Sequence, residues 1–156
     1  MRDFVNLTPE NLETEHLCCI IRTKIKHPGV EAKRKWLSAR LREGHVFRKL
    51  DVKGTVFVEY APLEKAWVPV VGENYLYLYC LWVLGEHRGK GYASNAVKAW
   101  EHEMKQQGFK MALISTQVDE SAQHFYRKLG YVDCGGITFH DTPFHQPMEL
   151  FLRKVF

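Results

Sequence analysis

The chain has 156 residues, of which 46% are hydrophobic and 26% charged, and its formal net charge is +4. This length suits one domain with a proper core, and this composition excludes an intrinsically disordered chain. The N-terminus has no apolar stretch of signal-peptide length, and the four cysteines form no Cys-x-x-Cys pair. We therefore expect one soluble, cytoplasmic domain over residues 1–156, with free thiols in a reducing compartment.

The chain is predicted to begin with a strand at residues 3–7, followed by two helices. Thr8-Pro9-Glu10 supplies an N-cap residue, a proline at the first helical position and an acid in the first turn, so the first helix is predicted to run to about residue 23. The second helix is predicted over residues 30–43, where Gly44 ends it. The residues predicted to be buried on these helices are Val30, Leu12, Leu17, Ile20, Ile21, Leu37 and Leu41.

Residues 22–49 carry ten Lys or Arg and only two acids. Such a run can attract an acidic partner such as nucleic acid. It can also be the solvated face of an amphipathic helix, which is the interpretation that we favour, because no nucleic-acid motif accompanies the charge.

Strands are predicted at residues 46–50 and 55–60, and residues 63–73 are predicted to be irregular. Residues 75–84 then carry no charge, which is typical of a strand buried on both faces and too short to span a bilayer. After a polar break at residues 85–87, an amphipathic helix is predicted to end at Gly108. Its predicted apolar face is Ala93, Ala96, Val97, Trp100 and Met104.

Residues 88–91, here called the glycine loop, join that strand to that helix. A glycine-rich loop that opens a helix leaves backbone N–H groups unpaired, and these can bind phosphate. Gly89 and Gly91 permit close approach of a ligand, while Arg88 and Lys90 add positive charge at the positive end of the helix dipole. The sequence therefore predicts a pyrophosphate site, although neither the P-loop nor the G-x-G-x-x-G pattern is present.

The last third of the chain is predicted to form a strand at residues 111–118 and a helix that begins at Asp119 and ends at Gly130. Ala122, Phe125, Tyr126 and Leu129 share one face of that helix. Short strands are predicted at residues 131–134 and 137–139, separated by a turn at Gly135-Gly136, and a last strand at residues 148–155.

Two motifs resemble those of the GNAT superfamily of N-acetyltransferases. Arg88-Gly89-Lys90-Gly91-Tyr92-Ala93 fits the acyl-CoA pyrophosphate motif [QR]-x-x-G-x-[GA] of that family. Residues 119–131 fit its later motif, N-x-x-A-x-x-F-Y-x-x-x-G-[FY], except that Asp119 replaces Asn. The resemblance implies a single GNAT-like α/β domain: a mixed, mostly antiparallel, twisted sheet flanked by helices, in the order β-α-α-β-β-β-α-β-α-β-β.

The resemblance also implies an activity, the transfer of an acetyl group from acetyl-CoA, as cosubstrate, to a primary amine of a small molecule or protein, by direct attack in a ternary complex. In this family the strand before the loop pairs with the pantetheine arm, and the N–H group at the position of Val83 donates to the thioester carbonyl. The residues implied to bind the cofactor are Leu81, Trp82, Val83, Arg88, Gly89, Lys90, Gly91, Tyr92, Ala93, Ser94, Asp119 and Phe125.

Tyr126 is the predicted general acid, because a phenol with a pKa of about 10 is protonated at neutral pH and can protonate a departing thiolate. Outside this motif it would be read as a core tyrosine. No general base is assigned, and Glu73 is the best placed candidate. Other candidates are Glu59, His45, His140 and His145; the last two lack a third ligand for a metal.

Three functions stay open at this point. An acetyltransferase leads. A non-catalytic acyl-CoA-binding module is the alternative that Asp119 motivates, because an acid near an anionic cofactor would repel it. A protein that binds an acidic partner through its basic face is the third. The acceptor amine and the oligomeric state, including a homodimer, are left open.

Overall fold

The computed structural model of the chain describes residues 4–17, 28–52, 56–117, 120–139 and 146–154. The chain divides into two compact units. The first unit comprises Met1–Ala61 and Cys80–Ala99, and the second comprises Pro62–Tyr79 and Trp100–Phe156.

The first unit contains three antiparallel strands, β1 (Phe4–Asn6), β2 (Val46–Leu50) and β3 (Val56–Pro62). In register, Val5 lies opposite Lys49, and Arg48 lies opposite Val58. Helix α1 (Pro28–Arg40) precedes β2 and continues into a 3-10 turn, Leu41–Glu43. Gly44 ends that turn with a φ of 90°, a left-handed conformation that favours glycine. The second helix and the two strands are therefore confirmed near their predicted bounds.

The core of the first unit is a cluster of buried side chains from the segments around these elements. Leu12 and Leu17 are buried there as predicted, and the rings of Phe47 and Phe57 stack at 4.8 Å. The members of the cluster are Leu7, Leu12, Leu17, Leu37, Phe47 and Phe57. Partly buried Val30, Trp36, Leu41, Cys80 and Trp82 pack against it.

The first predicted helix is wrong over its described part, because residues 9–14 form turns and residues 15–17 are irregular. The side chain of Asn11 bonds the backbone of two residues that precede it. Its Oδ1 accepts a hydrogen bond from Thr8 N at 2.8 Å, and its Nδ2 donates to Asn6 O at 2.9 Å. Such side-chain bonds compete with a continuous helical ladder. The predicted continuation, with Ile20 and Ile21, lies outside the described residues.

Strand β4 (Tyr75–Val83) is divided between the units: residues 75–79 belong to the second unit and residues 80–83 to the first. The second unit also contains β5 (Met111–Gln117), β6 (Val132–Phe139) and β7 (Gln146–Lys154), in the spatial order β4-β5-β7-β6. Residues 75–78 of β4 pair in parallel with residues 111–114 of β5. The β5–β7 and β6–β7 pairs are antiparallel. One parallel pair among antiparallel ones confirms the predicted mixed, mostly antiparallel sheet.

The turn predicted at Gly135-Gly136 is wrong, because both residues lie inside β6. The pairing of β6 with β7 is irregular between Asp133 and Gly135. Gly135 has a φ of 123°, and its N–H donates to Oδ1 of Asp133 at 3.1 Å. The glycine therefore permits a bulge within one strand, where the sequence suggested a reversal between two.

Helices α2 (Tyr92–Gln106) and α3 (Glu120–Lys128) follow β4 and β5 in the chain. The apolar face predicted for α2 is confirmed, since Ala96, Val97, Trp100 and Met104 are buried. In the second unit a smaller cluster joins Leu63, Ala66, Tyr77 and Leu113, against which Val68 and Val70 pack. Every described helix is too short or too polar to cross a membrane.

Candidate functional site

The glycine loop has the backbone that its sequence predicted. Gly89 and Gly91 have φ angles of 73° and 80°, in the left-handed region that side chains with a Cβ adopt at a cost. A Cβ atom at Gly89 would meet nothing within 4 Å, and one at Gly91 only Nδ2 of Asn95 at 3.8 Å. The conformation of the main chain, and not crowding within the protein, therefore requires glycine, and the main chain is open to a ligand.

Helix α2 begins directly after this loop. The N–H of Asn95 donates to Gly91 O at 2.9 Å and opens the helical ladder, so the preceding N–H groups, of residues 92–94, have no intrahelical acceptor. Arg88 and Lys90 are exposed beside this positive end of the helix dipole. The loop and the first turn thus combine donors and positive charge in the way that a pyrophosphate requires.

The loop is also tied to the end of β4. The N–H of His87 donates to Leu84 O at 2.8 Å, and the N–H of Arg88 donates to Gly85 O at 3.1 Å. The guanidinium Nε of Arg88 donates to Val83 O at 3.3 Å. Strand end and loop therefore form one hydrogen-bonded segment of the first unit.

Leu81, Trp82 and Val83, the residues implied to lie along the pantetheine arm, form the last three residues of β4 and are half-buried. The Trp82 side chain packs against the core cluster of the first unit. Its indole Nε1 is buried and has no hydrogen-bond partner among the described residues.

Tyr126 lies in the second unit, on α3, and is 6% exposed. Its ring meets the rings of Phe125 and Tyr131 edge to face, at centroid distances of 5.2 and 5.6 Å. Tyr131 in turn donates its hydroxyl hydrogen to Oε1 of Glu101 at 2.8 Å. Aromatic neighbours therefore fix the position of the Tyr126 ring. Asp119 lies outside the described residues.

Glu73 is exposed on a bend before β4, next to Asn74, whose N–H donates to Oε1 of Glu64 at 3.0 Å. Its role as a base stays a prediction. His140 and His145 lie outside the described residues. Within the described ranges, no group of three or more His, Cys, Asp or Glu side chains is arranged to hold a metal ion.

The structure brings together two other candidate bases, His45 and Glu59, and adds Lys33, which the sequence did not single out. Nε2 of His45 lies 3.0 Å from Oε1 of Glu59, and Nζ of Lys33 lies 2.6 Å from Oε2. We call these three residues the Glu59 cluster. Sequence reasoning could have suspected a partner, because a carboxylate in an apolar strand such as β3 is seldom buried alone.

Burial raises the pKa of Glu59, but the hydrogen bond with His45 and the charge and hydrogen bond of Lys33 outweigh it and hold that pKa below its ordinary value. Both carboxylate oxygens of Glu59 have partners. A carboxylate held ionised in this way is a poor acceptor of a substrate proton. The contacts therefore favour a structural role for Glu59.

A cavity of about 420 Å³ in the first unit contains none of the predicted site residues. It is lined by Phe4, Asn6, Arg48, Val58, Asn95, Ala96 and Ala99.

A strand that ends in a positively charged glycine loop at the start of a helix is typical of proteins that bind a phosphorylated cofactor. The particular class follows from comparison with known families. The model of the acetyltransferase (GNAT) family matches residues 12–131, and the chain belongs to this family. Acetyltransferases of this family use acetyl-CoA.

Among curated proteins, the chain is 41% identical over 90 residues to the uncharacterized N-acetyltransferase YoaP of Bacillus subtilis (strain 168). The match covers 58% of this chain and spans only 36% of the length of that relative.

Solved structures share the fold. An N-acetyltransferase from Staphylococcus aureus Mu50 matches with a TM-score of 0.70 and 15% identity, over 99% of both chains. A putative streptothricin acetyltransferase from Bacillus anthracis str. Ames, solved in complex with acetyl coenzyme A, matches with a TM-score of 0.55 and 16% identity. That match covers 71% of this chain and 62% of the other.

Proposed function

We propose that the chain is an acyl-CoA-dependent N-acetyltransferase that transfers an acetyl group from acetyl-CoA to a primary amine of a small molecule or protein. The observation that carries this proposal is the glycine loop, with its left-handed glycines and its position at the start of α2. Membership of the acetyltransferase family supports the same conclusion.

Acetyl-CoA supplies a reactive thioester and a negatively charged pyrophosphate. The N–H groups of the glycine loop and of the first turn of α2 would bind the pyrophosphate, assisted by Arg88 and Lys90. The end of β4, residues 81–83, would hold the pantetheine arm by main-chain hydrogen bonds.

In the transfer, the amine nitrogen attacks the thioester carbonyl carbon, the C–N bond forms and the C–S bond breaks. The N–H of Val83 would stabilise the charge that develops on the carbonyl oxygen, an effect worth roughly 3 kcal/mol for one such donor. The Tyr126 phenol would protonate the departing thiolate. The amine proton would leave to Glu73 or to solvent.

A non-catalytic acyl-CoA-binding module is the second candidate, and Asp119 is the feature that favours it. A carboxylate in place of the amide of the family motif adds negative charge beside an anionic cofactor. Asp119→Asn should then tighten acetyl-CoA binding, whereas turnover by the wild-type protein would reject the second candidate.

The proposed activity is tested by following thiol release from acetyl-CoA while primary amines are supplied, with mass spectrometry of the amine product. Diamines, amino acids and peptides with free N-termini represent the two acceptor classes. Because the chain itself contains four cysteines, the same protein without amine gives the baseline. Amine-dependent thiol release with an acetylated product supports the proposal. Acetyl-CoA binding without turnover on any amine would favour the second candidate, the non-catalytic acyl-CoA-binding module.

A further inference from the structure

His87 is buried in a stretch that is otherwise exposed. It is the last residue of the 3-10 turn Gly85–His87 and is 8% exposed, while both of its neighbours, Glu86 and Arg88, are exposed. Nothing in the motif of the family explains a buried histidine at this position, since the motif begins at Arg88.

Two contacts hold the imidazole of His87. Its Nε2 lies 3.2 Å from Oε1 of Glu86, and its ring meets the ring of Tyr92 edge to face, with centroids 5.5 Å apart and planes at 71°. A carboxylate only accepts hydrogen bonds, so the contact with Glu86 places the hydrogen on Nε2. Nδ1 is buried and has no hydrogen-bond partner among the described residues.

The contact with Tyr92 spans the glycine loop. His87 directly precedes residues 88–91 and Tyr92 directly follows them as the first residue of α2. Two of the four residues between the rings are glycines with left-handed φ angles. Glycine loses more conformational freedom on ordering than any other residue, so a contact that joins the two ends of the loop lowers the cost of ordering it.

We infer that His87 is a positioning residue of the glycine loop: its ring packs on Tyr92, fixes the two ends of residues 88–91 and prepares their N–H groups for the cofactor. The aromatic contact carries most of this effect. The Glu86 side chain is 71% exposed, and solvent-exposed ion pairs contribute little to stability. The effect on acetyl-CoA rests on the proposed function, whereas the effect on the loop itself does not.

The affinity test compares His87→Ala with His87→Phe, which keeps an aromatic ring opposite Tyr92 but loses the bond to Glu86. The matched control is His102→Ala, which removes an exposed histidine from α2. By calorimetry and steady-state kinetics, His87→Ala should raise the Kd and KM for acetyl-CoA about tenfold, with kcat at saturation within about twofold of wild type. His87→Phe should restore most of the affinity, and His102→Ala should change neither constant.

A second measurement needs no cofactor. In the ligand-free protein, hydrogen exchange of the amides of residues 88–95 should be faster in His87→Ala than in wild type and His102→Ala, and near the wild-type rate in His87→Phe. Tyr92→Leu should show the same faster amide exchange at residues 88–95 as His87→Ala. If His87→Ala fails to fold, Tyr92→Leu replaces it in this test.

Each result decides one point. Unchanged exchange and unchanged affinity in His87→Ala would overturn the inference. A fall in kcat and affinity together, without rescue by His87→Phe, would also overturn it, because that pattern indicates general loss of structure. If wild type binds no CoA species but exchange of residues 88–95 still depends on the ring at position 87, the proposed function fails and the inference stands.

Discussion

Among the electrostatic contacts of the first unit, those of the Glu59 cluster should contribute most to folding stability. The substitution Glu59→Gln tests this contribution. The substitution keeps the shape of the side chain but leaves Lys33 and His45, two hydrogen-bond donors, facing an amide with only one acceptor oxygen. Glu59 is 4% exposed, so water has little access to the position of the lost acceptor.

The expected cost follows from burial. Removing one partner of a buried ion pair typically costs about 3–5 kcal/mol, and we expect the low end, about 3 kcal/mol, because the Lys33 side chain is 28% exposed. Glu43→Gln is the matched control. It breaks the Arg40–Glu43 pair, where the carboxylate side chain is 36% exposed, and should cost less than about 1 kcal/mol.

The assay is urea denaturation at pH 7, from which the free energy of unfolding is extrapolated for each variant. Lys33→Met and His45→Phe combined with Glu59→Leu should be more stable than Glu59→Gln alone, because replacing all three members of the cluster by apolar side chains leaves none of them facing a lost partner. A loss below about 0.5 kcal/mol in Glu59→Gln would refute this account of the cluster.

The pH dependence of the same variants supplies a second test. The pKa of Glu59 is lower in the folded chain than its ordinary value of 4.5, so the stability that it contributes is fully present above pH 4.5 and is lost as the pH falls through the folded pKa. The part of the stability difference between wild type and Glu59→Gln that Glu59 ionisation supplies should therefore shrink as the solution becomes more acidic than pH 4.5. A difference that does not shrink would contradict the lowered pKa.

Three further predictions concern the loop, the acid and the bulge. Gly91→Glu should abolish acetyl-CoA binding, measured by calorimetry, while the fold is retained. The control Gly91→Ala has room for its Cβ and should lose only about 1–2 kcal/mol of folding stability, the cost of a φ of 80°. Binding of acetyl-CoA by Gly91→Glu with the affinity of wild type would show that the loop is not part of the site. Tyr126→Phe keeps the ring contacts and should lower kcat at least about 100-fold, with little change in the Kd for acetyl-CoA. If kcat and the pH–rate profile are unchanged, the phenol is not the general acid. Gly135→Ala should lower the free energy of unfolding by about 1 kcal/mol in urea denaturation, because residue 135 has a φ of 123°. An unchanged free energy of unfolding would show that the backbone of the bulge relaxes to accept alanine.

The features that were predictable from the sequence are those encoded locally. Residues 75–84 contain no charge, and residues 75–83 form β4. The glycines at residues 89 and 91 give the loop its left-handed backbone. The apolar spacing of α2 is confirmed by burial. Each of these signals lies within one element, where periodicity and backbone sterics are sufficient.

The features that were missed depend on contacts that spacing does not encode. The helix predicted from Thr8 is replaced in its described part by turns, in which the Asn11 side chain bonds the backbone of Asn6 and Thr8. Lys33 and Glu59 are 26 positions apart and meet only in the folded unit. His87 lies just before the family motif, and its contact with the ring of Tyr92 depends on the fold of the loop between them. The motif residues alone do not predict this contact.

The central claim is that the glycine loop binds acetyl-CoA, and calorimetry of the purified wild-type protein with acetyl-CoA, free CoA and ATP tests it most directly. We predict binding of both CoA species with a Kd on the order of micromolar and much weaker binding of ATP, because the end of β4 adds pantetheine contacts that ATP cannot make. No binding to any CoA species would contradict the account, and equal binding of ATP would show a general phosphate site.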